Sequence, residues 1–167
     1  PWSASSIGAD GPVADHREDL ELVDLRSDTV TRPDDAMRRA IAEAEVGDDQ
    51  LGDDPTTRRL EETVAELLGK DRALFFPSGI MANQTALAVH GSWGGEVVCE
   101  ASAHVLDYEG GAAAALSGLQ LRPVPTDDGM LTPALVRSAI RPESPYVPRT
   151  RAVTVENTHL ASGGRIM

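Results

Sequence analysis

Arg72–Gln84 reads RALFFPSGIMANQ, and the fold follows from how that stretch is parsed. Ala73, Leu74, Phe75 and Phe76 form a short continuous apolar run, which predicts a strand buried on both faces. Pro77 ends it, because proline has no N–H for a ladder. Ser78 and Gly79 make a turn, and Ile80–His90 reads as a helix stopped by Gly91. A strand, turn and helix in this order aim free backbone N–H groups and a helix dipole at one point beyond the strand end. That is a ready anion site, and phosphate is the usual anion. The same residues also fit an ordinary βα loop.

Working outward, the same alternation recurs. Downstream, Glu96–Glu100 (EVVCE) reads as a buried strand followed by Ser102, Ala103 and His104. Tyr108–Leu119, with Gly110, Gly111 and an alanine run, reads as one closely packed helix. Gln120–Val124 is a strand, and Thr132-Pro133 opens a helix to about Ile140. Arg151–Val155 is a third downstream strand, with Glu156, Asn157 and His159 after its end. Upstream, a helix over Asp35–Glu45 would bury Met37, Ile41 and Ala44, capped by Asp34 or Thr31. Asp54 and Pro55 start another, whose Leu60, Val64, Leu67 and Leu68 fall on one face before Gly69. Val46–Pro55 (VGDDQLGDDP) holds four aspartates but lacks the ligand spacing of a calcium loop, and reads as a solvated turn. Residues 1–20 read as a flexible arm, Leu20–Leu25 as a possible extended segment, and 21–167 as one domain.

Strands alternating with helices define an α/β class with a mainly parallel sheet. In such sheets ligands gather beyond the strand C-terminal ends. Ser78-Gly79, His104 and the Glu156-Asn157-His159 group all fall there, and their convergence is the candidate site. Each histidine alone is more often a hydrogen-bonded loop residue than a catalyst, and only their convergence with the turn evens the balance; His90 reads as a helix cap.

Composition narrows the partners. Against 15 basic side chains stand 27 acidic ones, a net charge of −12, which argues against nucleic acid or an anionic membrane surface. Cys99 is the sole cysteine, so no internal disulfide framework exists, and a reducing, cytoplasmic setting is expected. No apolar run approaches the ~20 residues of a membrane span, and the first residues lack the pattern of a signal peptide.

Four motifs together resemble the low-specificity L-threonine aldolases of the β-eliminating lyase group: DLRSDTVTRP (Asp24–Pro33), VGDD with GDDPT (Val46–Asp49, Gly52–Thr56), FPSGIMANQ (Phe76–Gln84) and ENTHLASGGRIM (Glu156–Met167). The resemblance implies an aspartate-aminotransferase-like large domain, incomplete at the C-terminus. It implies pyridoxal 5'-phosphate as cofactor and reversible cleavage of L-threonine or L-allo-threonine to glycine and acetaldehyde. By motif position, Ser78, Gly79 and Ile80 would hold the cofactor phosphate, and His104 would stack on its ring. Ser27 would bind the substrate carboxylate, and His159 would serve the substrate hydroxyl as acid or base. Glu156 and Asn157 would support that loop, and Thr29 and Thr31 match a structural cation site of some relatives. The implied partners are a β-hydroxy-α-amino acid and further copies of the chain, as a dimer of dimers.

Three positions depart from the pattern: Ile80 stands where threonine is common, Leu51 where an aromatic is frequent, and Leu160 where asparagine is frequent. Lys70 is the chain's one lysine and lies before the central strand, so the resemblance leaves the Schiff-base lysine without a counterpart. The 167 residues therefore read as the N-terminal part of such an enzyme, expected to be inactive alone. Another β-eliminating lyase, a phenylserine-type aldolase, or a non-catalytic chain that associates with full-length subunits are the alternatives left open.

Overall fold

A computed structural model describes residues 23, 24 and 27–167. The expected N-terminal arm and most of the Leu20–Leu25 segment lie outside the described residues. The chain divides into two compact units, one ending at Thr56 and one running from Thr57 to Met167.

In the first unit, Ser27 caps a single 3-10 turn over Asp28–Val30. Helix α1 (Asp35–Glu43) starts where Asp34 Oδ1 accepts from Met37 N at 2.8 Å, so Asp34 rather than Thr31 is its cap. The expected buried stripe is not buried: Met37 and Ile41 are exposed, because nothing among the described residues packs on that face. The acidic loop satisfies its own backbone. Asp48 Oδ1 accepts from Gln50 N and Asp54 Oδ2 from Gly47 N, so these carboxylates act as turn caps.

Helix α2 (Pro55–Leu68) begins at the junction of the units. Its predicted apolar face also needs correction. Leu60, Leu67 and Leu68 are exposed, and Ala65 is its one buried residue. Ala73–Phe76 forms no strand, and Leu74 and Phe75 are exposed. No ladder partner lies beside it among the described residues. Instead Phe75 N donates to Glu61 Oε1 of α2 at 2.7 Å. Helix α3 (Gly79–His90) follows, with Ser78 as N-cap and Gly91 as stop.

Three strands, β1 (Glu96–Glu100), β2 (Gln120–Val124) and β3 (Thr150–Val153), form a wholly parallel sheet in the order β2-β1-β3. The central strand β1 is buried throughout, and its alternation decides the two layers. Val97 and Cys99 join Leu87, Ala103, Val105, Ala113 and Leu119 on the face covered by α3 and the next helices. Val98 joins Val124 and Ala139 on the other, beneath α6 (Pro133–Ala139). Glu96 and Glu100 share the face of Val98 by the same period. Glu96, wholly buried at the start of β1, is neutralised by Arg141 Nε at 2.8 Å and Arg122 at 3.5 Å, which clasp the entry end of the sheet.

Of the helix expected over Tyr108–Leu119, only its middle is helical, and a separate short helix precedes it. Helix α4 (His104–Asp107) starts at the candidate histidine itself, and α5 (Ala112–Ser117) follows. Gly110 and Gly111, at φ +62° and +71°, occupy left-handed backbone between them, and Gly111 is the N-cap from which α5 starts. Among the described residues no helix is long and apolar enough to cross a membrane.

Candidate active site

The site is built where β1 and β3 end and α3 begins. The cap geometry of α3 follows from its sequence. Ser78 Oγ accepts from Met81 N at 3.1 Å, leaving Gly79 and Ile80 as the first-turn donors. Among the described residues no acceptor meets those two N–H groups. A Cβ built on Gly79 would meet nothing within 4 Å, so the approach to them is open.

One turn into α3, Asn83 and Gln84 point their amide groups at a buried carboxylate that the sequence reading overlooked. Glu109 accepts from Asn83 Nδ2 at 2.7 Å, from Gln84 Nε2 at 2.6 Å, and meets His104 Nδ1 at 3.0 Å. Burial alone would raise the Glu109 carboxyl. The bonds from Asn83, Gln84 and His104, with the positive charge His104 can carry, outweigh burial and hold it below the ordinary carboxylate range. His104 remains partly exposed, its ring 5.4 Å from that of Tyr108. Its backbone N–H is held by Glu156 Oε2 at 2.6 Å, while Glu156 Oε1 accepts from Leu160 N at 2.8 Å. Glu156 thus ties the loop after β3 to the loop after β1. A cavity of about 470 Å3 opens beside these groups, lined by Asn83, His90, His104, Thr154, Glu156 and Asn157 among others. Ser78 and Gly79 border a second cavity of about 240 Å3, with Leu60, Phe75 and Ala82.

His159 sits on the opposite sheet face and is almost wholly enclosed, at 1 % exposure. Its Nε2 lies 3.2 Å from Glu100 Oε2, and its Nδ1 lies 3.0 Å from Ser162 Oγ. Burial would again raise the Glu100 carboxyl. The Ser102 hydroxyl and N–H, Thr126 and His159 overcome that and pull it down to about 2. A carboxylate only accepts, so His159 Nε2 must carry a proton here. Gly129 packs against this ring: a Cβ there would come 2.5 Å from His159 Nδ1. Direct work on a substrate requires the ring to turn from one of its two partners.

Ser27, Thr29 and Thr31 lie in the first unit and use their hydroxyls locally. Thr29 Oγ1 donates to Ser27 Oγ at 3.0 Å, and Thr31 Oγ1 to Asp28 O at 2.7 Å. Among the described residues no group of three or more His, Cys, Asp or Glu side chains is arranged to hold a metal ion. Glu109 and Glu100 escaped the sequence reading because carboxylates in a predicted helix and at a strand end look like surface charges. The spacing of His104 and Glu109, five residues apart and just ahead of the Gly110-Gly111 break, was the available signal.

A parallel α/β sheet with a helix N-terminus and a histidine beyond its strand ends is an arrangement compatible with the large domain of the aspartate-aminotransferase-like fold. Residues 24–167 match the model of the beta-eliminating lyase family, and the chain belongs to that family. It is 47 % identical over 152 residues to low-specificity L-threonine aldolase 1 of Arabidopsis thaliana, across 89 % of this chain and 42 % of that one. It is 44 % identical over 139 residues to the low specificity L-threonine aldolase of Escherichia coli strain K12, across 83 % of this chain and 42 % of that one. The chain thus spans less than half the length of these relatives. A crystal structure assigned to an aromatic amino acid beta-eliminating lyase/threonine aldolase of Exiguobacterium sp. 255-15 superposes with a TM-score of 0.59 at 25 % identity, covering 76 % of this chain and 35 % of that one.

Proposed function

We propose that the protein carrying this chain is a pyridoxal-phosphate-dependent lyase that cleaves L-threonine and L-allo-threonine reversibly to glycine and acetaldehyde. The observation that carries this reading is the tie, through Glu109, between the partly exposed ring of His104 and a helix whose first two N–H groups are free. Those features fit the cofactor. The N–H groups of Gly79 and Ile80, with the positive end of the α3 dipole, suit a dianionic phosphate. The His104 imidazole suits a flat aromatic ring laid against it. Ile80 supplies no hydroxyl to the phosphate, so backbone donors do most of the holding.

Cleavage takes the proton from the β-hydroxyl, forms the aldehyde carbonyl and breaks the Cα–Cβ bond, leaving the electron pair on Cα. When bound, pyridoxal phosphate supplies the sink for that pair. We assign Ser27 to the substrate carboxylate on motif position. The acid–base duty at the hydroxyl falls to His159, whose proton store is backed by Glu100. Ser162 Oγ, on its Nδ1, is the group through which that proton is exchanged. No cation is assigned to Thr29 and Thr31 beyond the motif match. We read the protein as a cytoplasmic homo-oligomer, a dimer of dimers, which light scattering of the intact protein tests.

The deciding assay follows acetaldehyde release from L-threonine and L-allo-threonine by the intact protein with pyridoxal phosphate, with phenylserine as competitor substrate. Release of acetaldehyde supports the reading. Cofactor binding with no carbon–carbon cleavage of either isomer would move the protein to another lyase reaction.

A further inference from the structure

We infer that Glu109 is a positioning residue that fixes His104 in its Nδ1–H tautomer and binds that ring to helix α3 as one rigid assembly. The inference rests on the cofactor-stacking role proposed for His104 and extends it to a residue outside the four motifs.

The geometry leaves little choice. The Glu109 side chain is fully buried and all its neighbours within hydrogen-bond reach are nitrogens: Asn83 Nδ2 and His104 Nδ1 on Oε1, Gln84 Nε2 on Oε2. An ionised carboxylate accepts and cannot donate, so each of the three nitrogens must bring a hydrogen. For the two amides this sets which way they face. Gln84 keeps its NH2 on Glu109 although its Oε1 is buried without a partner, so the carboxylate's demand overrides that of the amide oxygen. For His104 it sets the proton on Nδ1 and leaves Nε2 as the ring's free nitrogen. The backbone of His104 is pinned independently by Glu156. With Nδ1 and the backbone N–H both fixed, the ring plane has no torsional freedom that keeps its bonds.

The link reaches the phosphate turn. Asn83 lies four residues after Gly79, roughly 6 Å along the helix axis. The carboxylate therefore sets the offset between the donors of the α3 N-terminus and the imidazole face. A flat ligand carrying a phosphate needs both at a set separation. The pairing resembles the outer shell of metal-ligating histidines, where a carboxylate on the second ring nitrogen fixes tautomer and orientation.

The test reads the tautomer directly. Long-range 1H–15N correlation spectra of the intact protein, recorded without pyridoxal phosphate, distinguish Nδ1–H from Nε2–H, and the His104 signals are identified by their loss in His104→Gln. The expected result is a single Nδ1–H pattern in the unaltered protein and a mixture of tautomers in Glu109→Gln. Pyridoxal phosphate retention by Glu109→Gln should fall roughly tenfold to a hundredfold, the range seen for partners of metal-ligating histidines. Glu109→Asp should recover part of the tautomer pattern. An Nε2–H pattern in the unaltered protein overturns the inference even if Glu109→Gln fails to fold. So does an unchanged Nδ1–H pattern in a folded Glu109→Gln. An Nδ1–H pattern lost in Glu109→Gln, in a protein that does not bind pyridoxal phosphate, would instead keep the tautomer assignment and sink the cofactor reading.

Discussion

Glu100 shows how single side chains here are set by their neighbours. Its carboxyl is pulled to about 2, against an ordinary value near about 4.3. The folded pKa is the lower one, so the stabilisation is full above the unfolded value and is lost as pH falls from about 4 toward about 2. A gap of this size corresponds to roughly 3 kcal/mol. We expect Glu100→Gln to lower stability near neutral pH by about 1–3 kcal/mol and to flatten the acid dependence below about pH 4. Urea unfolding of both proteins across that window checks it; equal acid slopes would show that another group carries the effect. Cys99 is governed by burial first, then by the charges of Glu100 and Asp107, which push its thiol up to about 11. It should resist thiol reagents at mildly alkaline pH until the protein unfolds. Rapid modification of the folded protein would contradict its enclosed position in β1.

At the scale of elements, α3 offers a clean test of backbone donors. Gly79 is the first helical residue, and Ser78 before it is already extended at φ −149° and ψ 151°. Both conditions admit proline at position 79 without disturbing the helix. Gly79→Pro should therefore leave the melting temperature nearly unchanged while removing one N–H. Loss of one hydrogen bond to a charged group weakens pyridoxal phosphate binding on the order of tenfold to a hundredfold. Unaltered affinity in a fluorescence titration would remove Gly79 from the phosphate site. The loop before α6 makes the opposite case. Gly129 sits at φ +80° with His159 Nδ1 where its Cβ would fall, so Gly129→Ala should destabilise by about 1–3 kcal/mol and displace the His159 ring. Gly79→Ala, in open space on a helix, is the neutral control. Thermal melts that rank the two alanine variants equally would refute the packing described around His159.

For the molecule as a whole, the arithmetic of amines matters. Lys70 is the one lysine, and it lies just past the C-terminal end of α2, before the run that leads to the Ser78-Gly79 turn. We expect the 167-residue chain by itself to release no acetaldehyde from threonine. Borohydride reduction in the presence of pyridoxal phosphate should leave Lys70 unlabelled. A stoichiometric label on Lys70 together with acetaldehyde release would refute this. The exposed Leu60, Leu67, Leu68, Leu74 and Phe75 also distinguish this molecule from one whose helices all close on a core of their own.

Local signals settled what local physics controls. Pro77, Ser78 and Gly91 bracket α3, Thr132-Pro133 opens α6, and the apolar EVVCE run is a buried strand, because caps, prolines and short apolar runs act within a few residues. The parallel sheet was legible from the alternation of strands and helices, and the family was legible from its four motifs. What depended on distant partners was not. Ala73–Phe76 reads as a strand but has no ladder beside it, and the leucines of α2 read as core but remain exposed. Periodicity shows which residues can share a face, not what lies opposite it. The Glu109 hub and the Glu100–His159 pair join residues 26 and 59 positions apart along the chain. Only the tertiary structure decides them, because a carboxylate's role depends on which donors the fold brings to it and how far it is taken from water.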